Sequence, residues 1–232
     1  MIDWCLGWLS PHICEGCGQV GESLCERCNF NILASKSTKC ISCWRQMTTA
    51  ELAKSGNICR DCGRILPFSK VFLVGERTGT LKKLVGNYKY FSRRASAAVI
   101  AKLLGQVLPA ADLADLTVVP LPTIPKHIRE RGFDHMKLVA RALARRRGLM
   151  CEPDLLRRTD NISQHSAGLS QRRKQAATAF RINLRRSMSP KILLIDDIYT
   201  TGATTAAAAK LLKNHGAKEI WLGVVARQTD QS

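Results

Sequence analysis

Residues 191–204 limit the possible folds of this chain more than any other stretch, because they join a buried strand to an acidic pair and a helix start. The four apolar residues 192–195 are typical of a strand covered on both faces of a parallel sheet. Asp196 and Asp197 follow directly, and residues 206–212 are predicted to be helical. This order predicts an α/β fold with a ligand site at the carboxyl end of the strand.

The short loop between the acidic pair and the predicted helix suits a phosphate group. A loop that enters a helix presents free backbone N–H groups and the positive end of the helix dipole. Threonine hydroxyls can add donors. Gly202 has no Cβ, so we expect a phosphate to approach its backbone closely. The predicted phosphate-binding residues are Thr200, Thr201, Gly202, Ala203 and Thr204.

The two carboxylates of Asp196 and Asp197 do not suit a phosphate, because like charges repel. They suit the hydroxyls of a sugar diol, or a magnesium ion that keeps part of its water shell. A Walker A loop is excluded, since no Gly-Lys-Ser/Thr follows the strand, and a dinucleotide fingerprint would need three spaced glycines. The pattern therefore predicts a ligand with a monophosphate, a ribose diol and a metal-bound second anionic group.

Eight of the ten cysteines form four Cys-x-x-Cys pairs in the first 62 residues. Each such turn can point two thiolates at one metal, and two turns complete a zinc tetrahedron. The simplest arrangement joins consecutive pairs, while a nested one joins the first pair with the third and the second with the fourth. A zinc ion with four thiolates is closed to substrate, so both sites are predicted to be structural. The predicted ligands are Cys14, Cys17, Cys25, Cys28, Cys40, Cys43, Cys59 and Cys62.

Apolar runs at 71–74, 116–119 and 219–225 predict further sheet strands, with a short strand at 180–184. Helices are predicted over 92–108 and 136–147, where apolar residues recur with a helical period. Residues 78–90 mix lysines with tyrosines. They fit a segment that stacks on nucleic-acid bases, and equally a surface helix with Leu81, Leu84 and Val85 toward the core.

The segment 120–135 begins at the end of a predicted strand and contains three prolines and several cations. A proline-stiffened loop with Lys126, Arg129 and Arg131 is predicted to bind an anion, because arginine can grip phosphate oxygens with two parallel hydrogen bonds. The alternative is an exposed basic turn in which Asp134 caps the next helix.

The formal charge of +18 is concentrated outside the cysteine-rich segment. Residues 1–70 contain 8 Lys and Arg against 6 Asp and Glu, whereas residues 71–232 contain 28 against 12. Such a field favours polyanionic partners, either phosphorylated sugars or nucleic acid. Residues 1–10 lack the basic start and apolar core of a signal peptide, and no run is long enough to span a membrane. We therefore expect a reducing, cytoplasmic setting.

Residues 192–204 resemble the signature of type I phosphoribosyltransferases, which bind phosphoribosyl pyrophosphate (PRPP). With the four cysteine pairs, the chain is similar to the ComF family, which joins a double zinc ribbon to such a domain. The resemblance implies a type I phosphoribosyltransferase-like parallel sheet flanked by helices over residues 67–232. Residues 1–66 would form the small N-terminal zinc-ribbon module.

The same resemblance implies roles for individual residues. Residues 200–204 would hold the 5′-phosphate, Asp196 and Asp197 the 2′ and 3′ hydroxyls, and Arg129 and Arg131 the pyrophosphate with its Mg²⁺. The basic stretch at Arg172, Arg173 and Lys174 would close over the ligand as a mobile hood. This chain departs from the family pattern at Asp134-His135, where Asn-Gln is usual. A carboxylate there would repel pyrophosphate or recruit magnesium.

ComF resemblance implies a role in DNA uptake during natural transformation, with PRPP or a related phosphosugar bound in the site. It also implies single-stranded DNA and proteins of the uptake machinery as partners. The alternative is an active PRPP-dependent transferase with an unknown nucleobase or amine acceptor, in which one carboxylate assists proton removal.

Overall fold

The computed structural model describes residues 13–90, 96–159 and 179–229, apart from the side chains of residues 89 and 90. Within these ranges the chain forms a five-stranded parallel sheet, flanking helices, a two-stranded antiparallel sheet and two cysteine-rich ribbons. The predicted α/β fold with a parallel sheet and an N-terminal ribbon module is confirmed. The boundary between residues 66 and 67 stays a prediction.

The bounds of the elements are as follows. The helices are α1 (Glu26–Ala34), α2 (Thr49–Ser55), α3 (Arg60–Ile65), α4 (Gly79–Tyr90), α5 (Ser96–Val107), α6 (Pro125–Arg131), α7 (His135–Arg147) and α8 (Ala203–Asn214). The strands are β1 (Lys70–Glu76), β2 (Leu116–Pro120), β3 (Met150–Cys151), β4 (Leu156–Arg158), β5 (Phe180–Ile182), β6 (Lys191–Tyr199) and β7 (Glu219–Arg227).

The parallel sheet has the strand order β1-β7-β6-β2-β3. From β2 the chain passes through α7 to β3 on one side, and from β6 it passes through α8 to β7 on the other. The carboxyl ends of β2 and β6 therefore lie at the point where the chain changes direction across the sheet. In parallel sheets this point opens a crevice that commonly binds ligands. The register pairs Pro120 with Ile195, so the loop after β2 begins beside Asp196.

The sheet divides the core into two layers because successive side chains of a strand point to opposite faces. In β1, Phe72 and Val74 belong to the layer that contains α4, α5 and α7, whereas Val71 and Leu73 belong to the layer that contains α8 and the β4–β5 sheet. The short strand predicted at 180–184 exists as β5, but it pairs with β4 outside the main sheet.

The two ribbons lie on opposite faces of the sheet. The first ribbon (residues 13–34) places Leu24, Cys28 and Ile32 in the layer with α5 and α7. The second ribbon (residues 38–65) places Ile41 and Ile58 in the layer with α8. The apolar cores of both ribbons are thus continuous with the core of the sheet. The ribbons pack at its β1 edge, one on each face.

Asn57 is a buried residue of the second ribbon that connects this ribbon to the sheet through hydrogen bonds. Its backbone N–H donates to the carbonyl of Val71 (2.6 Å), and its side-chain oxygen accepts from the N–H of Leu73 (3.1 Å). Its amide nitrogen donates to the carbonyls of Ser37 (2.7 Å) and Lys39 (3.1 Å). The Asn57 side chain therefore provides hydrogen-bond partners for backbone groups of both β1 and a loop of the ribbon.

Asn57→Ala is expected to lower the free energy of unfolding by about 1–3 kcal/mol, because one buried and two partly buried backbone groups lose their partners. The corresponding fall in the melting temperature is roughly 2–12 °C for a chain of this size. Calorimetry would measure it. Asn214→Ala, at the exposed end of α8, is the matched control and should shift the midpoint by less than a degree or two. Equal shifts for the two variants would contradict the role of Asn57.

The helix alternative for residues 78–90 is confirmed, because Leu81, Leu84 and Val85 are buried in the core from α4. The stacking role stays a prediction. Predicted helices 136–147 and 206–212 correspond to α7 and α8, which begin earlier. The described part of the predicted helix 92–108 is α5. Among the described residues, no helix has both the length and the apolar character that crossing a membrane requires.

Candidate functional site

A cavity of about 410 Å³ opens at the carboxyl ends of the central strands. Its walls come from the loop after β2, the end of β6, the start of α8, and the residues that follow β1 and β7. The sequence predicted a site at this edge because parallel strands present their carboxyl ends together. The acidic pair, part of the predicted phosphate loop and Arg131 all line this one cavity.

The predicted phosphate loop leads from β6 into the first turn of α8. Thr200, Gly202 and Thr204 line the cavity, and Thr201 and Ala203 are not among its lining residues. Gly202 stands at the N-cap position of the twelve-residue helix α8, whose first turn has N–H groups without intrahelical partners, and the N–H of Ala203 donates to the Thr201 hydroxyl (3.4 Å). Thr205, which the sequence did not single out, also lines the cavity and donates from its hydroxyl to the carbonyl of Gly202 (3.0 Å).

The structure gives two further reasons for a glycine at position 202. Gly202 is buried and has a left-handed φ of +73°, which glycine adopts most readily. A Cβ built on it would overlap the ring and hydroxyl of Tyr199. The glycine is therefore required by the backbone turn and by Tyr199 beneath it, and its role in the approach of a phosphate stays a prediction.

The two carboxylates differ in their surroundings. Asp196 is half-buried, and one of its oxygens accepts from the backbone N–H of Asp197 (2.9 Å). Asp197 is only 5% exposed, and its Oδ2 lies 2.6 Å from Nε2 of His135. Both side chains line the cavity. The pair can thus offer oxygens to a ligand while the orientation of Asp197 is fixed by a buried partner.

His135 connects the acidic pair to the loop after β2. Its Nδ1 lies 3.2 Å from Nη1 of Arg131 and 3.1 Å from the hydroxyl of Thr123. Arginine can only donate, so Nδ1 accepts that bond, and Nε2 carries the proton that is donated to Asp197. The hydroxyl of Tyr88 donates to the backbone carbonyl of His135 (2.6 Å). A buried chain of hydrogen bonds therefore runs from Arg131 through His135 to Asp197.

Asp134 is held by three hydrogen bonds at the start of α7, while its effect on a bound anion stays a prediction. Its Oδ1 accepts from the N–H groups of Met136 (3.2 Å) and Lys137 (3.3 Å), and from the Thr123 hydroxyl (3.0 Å). The carboxylate is thus the N-cap of α7, as the alternative for this segment proposed. A capping carboxylate is stabilised by the helix dipole.

The predicted anion loop is partly helical. Residues 125–131 form α6, which begins with Pro125 at its first turn and ends at the left-handed Gly132. Arg131 lines the cavity, whereas Arg129 is exposed and is not among the lining residues. The predicted hood residues Arg172, Arg173 and Lys174 lie outside the described residues.

Cations from distant parts of the chain complete the cavity wall. Arg158 of β4 lines it, and burial lowers the pKa of this guanidinium while the charge of Asp196 acts in the opposite direction. Arg77, just after β1, donates to Oε1 of Gln228 (2.7 Å), and both line the cavity. His127 of α6 also lines it. Sequence reasoning did not assign these residues to the site, because no local motif connects segments separated by up to 151 positions.

The eight paired cysteines form two clusters of four, in the consecutive arrangement. One cluster comprises the first two pairs and the other the last two, and the sulfur atoms of each lie within 4.8 Å of one another. Sγ–Sγ distances of 3.7 Å join Cys17 to Cys25 and Cys43 to Cys59. A tetrahedral zinc with Zn–S bonds of about 2.3 Å has sulfur edges of about 3.8 Å. Each cluster could therefore hold a zinc ion with little movement, and the nested pairing is excluded.

The clusters are built from a repeated unit. In each, a bridge pairs two residues that flank the first Cys-x-x-Cys turn: Ile13 with Val20, and Lys39 with Gln46. The second turn then begins a helix, so that Cys25 precedes α1 and Cys59 precedes α3. Backbone N–H groups support the sulfur atoms. Burial raises the pKa of Cys14, but hydrogen bonds from the backbone N–H groups of Cys25 and Cys17 outweigh it and lower the pKa to about 6.

Comparison with known proteins agrees with this architecture. The phosphoribosyl transferase domain family matches residues 136–231. The DNA utilization protein YhgH of Salmonella typhi is 31% identical over 175 residues, which cover 69% of this chain and 75% of that protein. Competence protein F of Haemophilus influenzae is 24% identical over 220 residues, 88% of this chain and 96% of that protein. Competence protein ComFC of Streptococcus pneumoniae is 28% identical over 214 residues, 90% and 84% of the two chains.

The parallel sheet, the cavity at its switch point and the matching domain define a phosphoribosyltransferase-like protein. Two four-cysteine clusters are joined to it at the amino-terminal side. The chain belongs to the ComF family, with relatives named as competence and DNA utilization proteins.

Proposed function

We propose that this protein binds PRPP with Mg²⁺ in the cavity and acts in DNA uptake, with single-stranded DNA as a partner. The observation that carries the proposal is the meeting of three features in one cavity: the acidic pair, the amino end of α8 and Arg131. These features match the three chemical parts of PRPP, which are a diol, a monophosphate and a pyrophosphate.

In this proposal residues 200–204 and the first turn of α8 bind the 5′-phosphate through N–H groups and threonine hydroxyls. Asp196 and Asp197 accept hydrogen bonds from the 2′ and 3′ hydroxyls. Arg131 and the exposed Arg129 attract the pyrophosphate, and Arg158 and Arg77 add positive charge to the wall. Arg172, Arg173 and Lys174 close over the ligand.

The donor set fits magnesium, because the cavity offers carboxylate oxygens at Asp196. When bound with PRPP, the ion would neutralise charge on the pyrophosphate. The residues of the chain then fix the sugar and exclude water from its C1′ carbon, and transfer needs no protein nucleophile. His135 holds Asp197 in place through its Nε2–H donor.

The test of ligand binding is the melting temperature with and without Mg–PRPP. A ligand at 100 times its Kd stabilises the folded state by about 2.7 kcal/mol, which corresponds to roughly 5–10 °C here. Ribose 5-phosphate and pyrophosphate, given separately, should each produce a smaller shift. An unchanged melting temperature with Mg–PRPP, together with no heat of binding in calorimetry, would refute the proposal.

The DNA role is supported by the names of the relatives and by the charge of residues 71–232, with 28 basic against 12 acidic residues. We expect affinity for a single-stranded oligonucleotide to fall steeply with salt. Four neutralised phosphates would give about a fifty-fold loss between 50 and 200 mM salt. Fluorescence anisotropy would measure it, and binding that is absent or insensitive to salt would contradict this role.

A second function, active phosphoribosyl transfer, is favoured by the open cavity beside the acidic pair. It predicts release of pyrophosphate from Mg–PRPP when an acceptor is supplied. The experiment measures pyrophosphate with pooled nucleobases and amines, with and without single-stranded DNA. Ligand binding without release under any of these conditions would leave PRPP sensing as the function.

A further inference from the structure

The second ribbon is docked on β7 and packs in the same core layer as Tyr199, the residue that precedes the predicted phosphate loop. We propose that the second ribbon holds residues 200–204 in the conformation that binds phosphate, with Arg227 and Tyr199 as the positioning residues. The inference rests on the proposed function for the identity of the ligand. The contact itself involves only residues of this chain.

The Cys40–Cys43 turn of the second ribbon is docked on the sheet by Arg227, the last residue of β7. Its Nε donates to the carbonyl of Ile41 (2.6 Å), and its Nη2 donates to the carbonyl of Ser42 (3.3 Å). The guanidinium also lies 4.0 Å from the ring centroid of Trp44. The two carbonyls belong to the residues between the metal-binding cysteines, so an intact cluster fixes the groups that Arg227 grips.

Tyr199 lies between this turn and the phosphate loop. It is 2% exposed and belongs to the same buried cluster as Ile41, with Trp44 and Cys62 packed against that cluster.

The other side of Tyr199 supports Gly202. The position that a Cβ of Gly202 would occupy is filled by the Tyr199 hydroxyl and ring. The backbone of Tyr199 is fixed by the N–H of Gln228, which donates to its carbonyl (2.8 Å). Gly202 begins α8, so its position sets where the free N–H groups of that helix point. Binding sites depend on placement to within about 0.5 Å, and a shift of the tyrosine would move these donors.

The first ribbon provides an internal comparison. Its Cys14 and Cys28 pack with Phe72, Val74 and Leu81 in the layer on the opposite face of the sheet. Among the described contacts, none joins this ribbon to residues 200–204. The two ribbons share a repeated architecture, but the structure connects only the second to the ligand site.

The experiment compares Arg227→Gln, which removes the donors to the Ile41 and Ser42 carbonyls, with Tyr199→Phe, which removes the hydroxyl beside Gly202, and both leave all cysteines in place. Zinc content should match the wild type, by metal analysis. The amides of residues 200–204 should exchange with deuterium at least tenfold faster, and affinity for Mg–PRPP should fall about tenfold, which is 1.4 kcal/mol. Ser55→Ala is the control, because its hydroxyl bonds only to carbonyls of Glu51 and Ile58 within the same ribbon. It should leave both quantities unchanged.

A second pair of variants tests the role of the cluster. Cys43→Ser and Cys17→Ser alter exposed ligands at equivalent positions of the two ribbons. Exchange at 200–204 is compared with exchange at the amides of β2 in the same variant, so that a local change is separated from a general loss of stability. Acceleration at 200–204 beyond that of β2 in Cys43→Ser, but not in Cys17→Ser, would support the proposal. The same local acceleration in both, or wild-type exchange in Arg227→Gln and Tyr199→Phe, would overturn it. The exchange measurement needs no ligand, so failure of PRPP binding alone would overturn the proposed function and leave this test intact.

Discussion

Removing zinc with a strong chelator is expected to unfold this protein cooperatively, rather than to loosen two surface loops. Each cluster brings four sulfur atoms within 4.8 Å, and without a cation four thiolates at that distance repel one another. The ribbons also contribute Leu24, Ile32, Ile41 and Ile58 to the two core layers of the sheet. Loss of either ribbon therefore exposes the apolar surface of β1.

The size of the effect follows from two typical magnitudes. Structural zinc binding contributes about 10–16 kcal/mol in small zinc-finger peptides, and a domain is typically stable by only about 5–15 kcal/mol. Circular dichroism during chelator titration should show loss of helix signal in step with zinc release, and added zinc should restore it. Magnesium is the control, because it does not favour thiolate ligands. A zinc-free protein with the wild-type melting temperature would contradict the structural role.

Asp197→Ala is expected to abolish stabilisation by Mg–PRPP and also to weaken the protein without ligand. The carboxylate is nearly buried and accepts from Nε2 of His135 at 2.6 Å. Its removal leaves a buried N–H without a partner, which costs about 1–3 kcal/mol. The melting temperature without ligand should fall by roughly 2–12 °C. The shift produced by Mg–PRPP should disappear, because the sugar loses an acceptor that the protein holds in a fixed orientation.

Asp197→Asn separates these two effects. The amide oxygen can still accept from His135, so stability without ligand should stay close to the wild type, while the loss of charge weakens binding of the diol and metal. Asp115→Asn, at an exposed position before β2, is the matched control for loss of a carboxylate charge, because asparagine tolerates the left-handed φ of 60° found there, and it should change neither quantity. Retention of the full Mg–PRPP shift in Asp197→Ala would refute the assigned role.

His135 gives this chain a feature that the family pattern does not lead one to expect. Asn-Gln is usual at positions 134 and 135, and the Asp and His that stand here have two different roles. Asp134 caps α7, and His135 joins Arg131 to Asp197. A ligand that engages both ends of this chain of hydrogen bonds meets groups whose orientations depend on each other.

The described structure also changes how the amino-terminal module is understood. It was predicted as a unit ahead of the sheet domain, yet its two ribbons separate to opposite faces and share their cores with the sheet. Ribbons that clamp an edge strand protect it from pairing with another chain. Asn57 performs this task directly, because it satisfies the backbone of Val71 and Leu73 along the edge of β1.

The sequence alone determined the features that depend on neighbours in the chain. Four Cys-x-x-Cys turns indicated metal sites, because each turn brings two thiolates together whatever surrounds it. Four apolar residues before Asp196 indicated a buried parallel strand, and the small residues after it indicated a helix entry. The capping role of Asp134 was likewise a local alternative, and the structure selected it.

Only the tertiary structure decided the contacts between distant segments. It selected the consecutive cysteine arrangement, joined His135 to Asp197 across 62 positions, and placed Tyr199 beneath Gly202 with the second ribbon behind it. It also brought Arg77 and Arg158 to the cavity. Periodicity and turn chemistry report the local backbone state, whereas these contacts depend on strand order and packing across the sheet. The buried Tyr199 thus gives a packing reason for Gly202 that no local pattern could show.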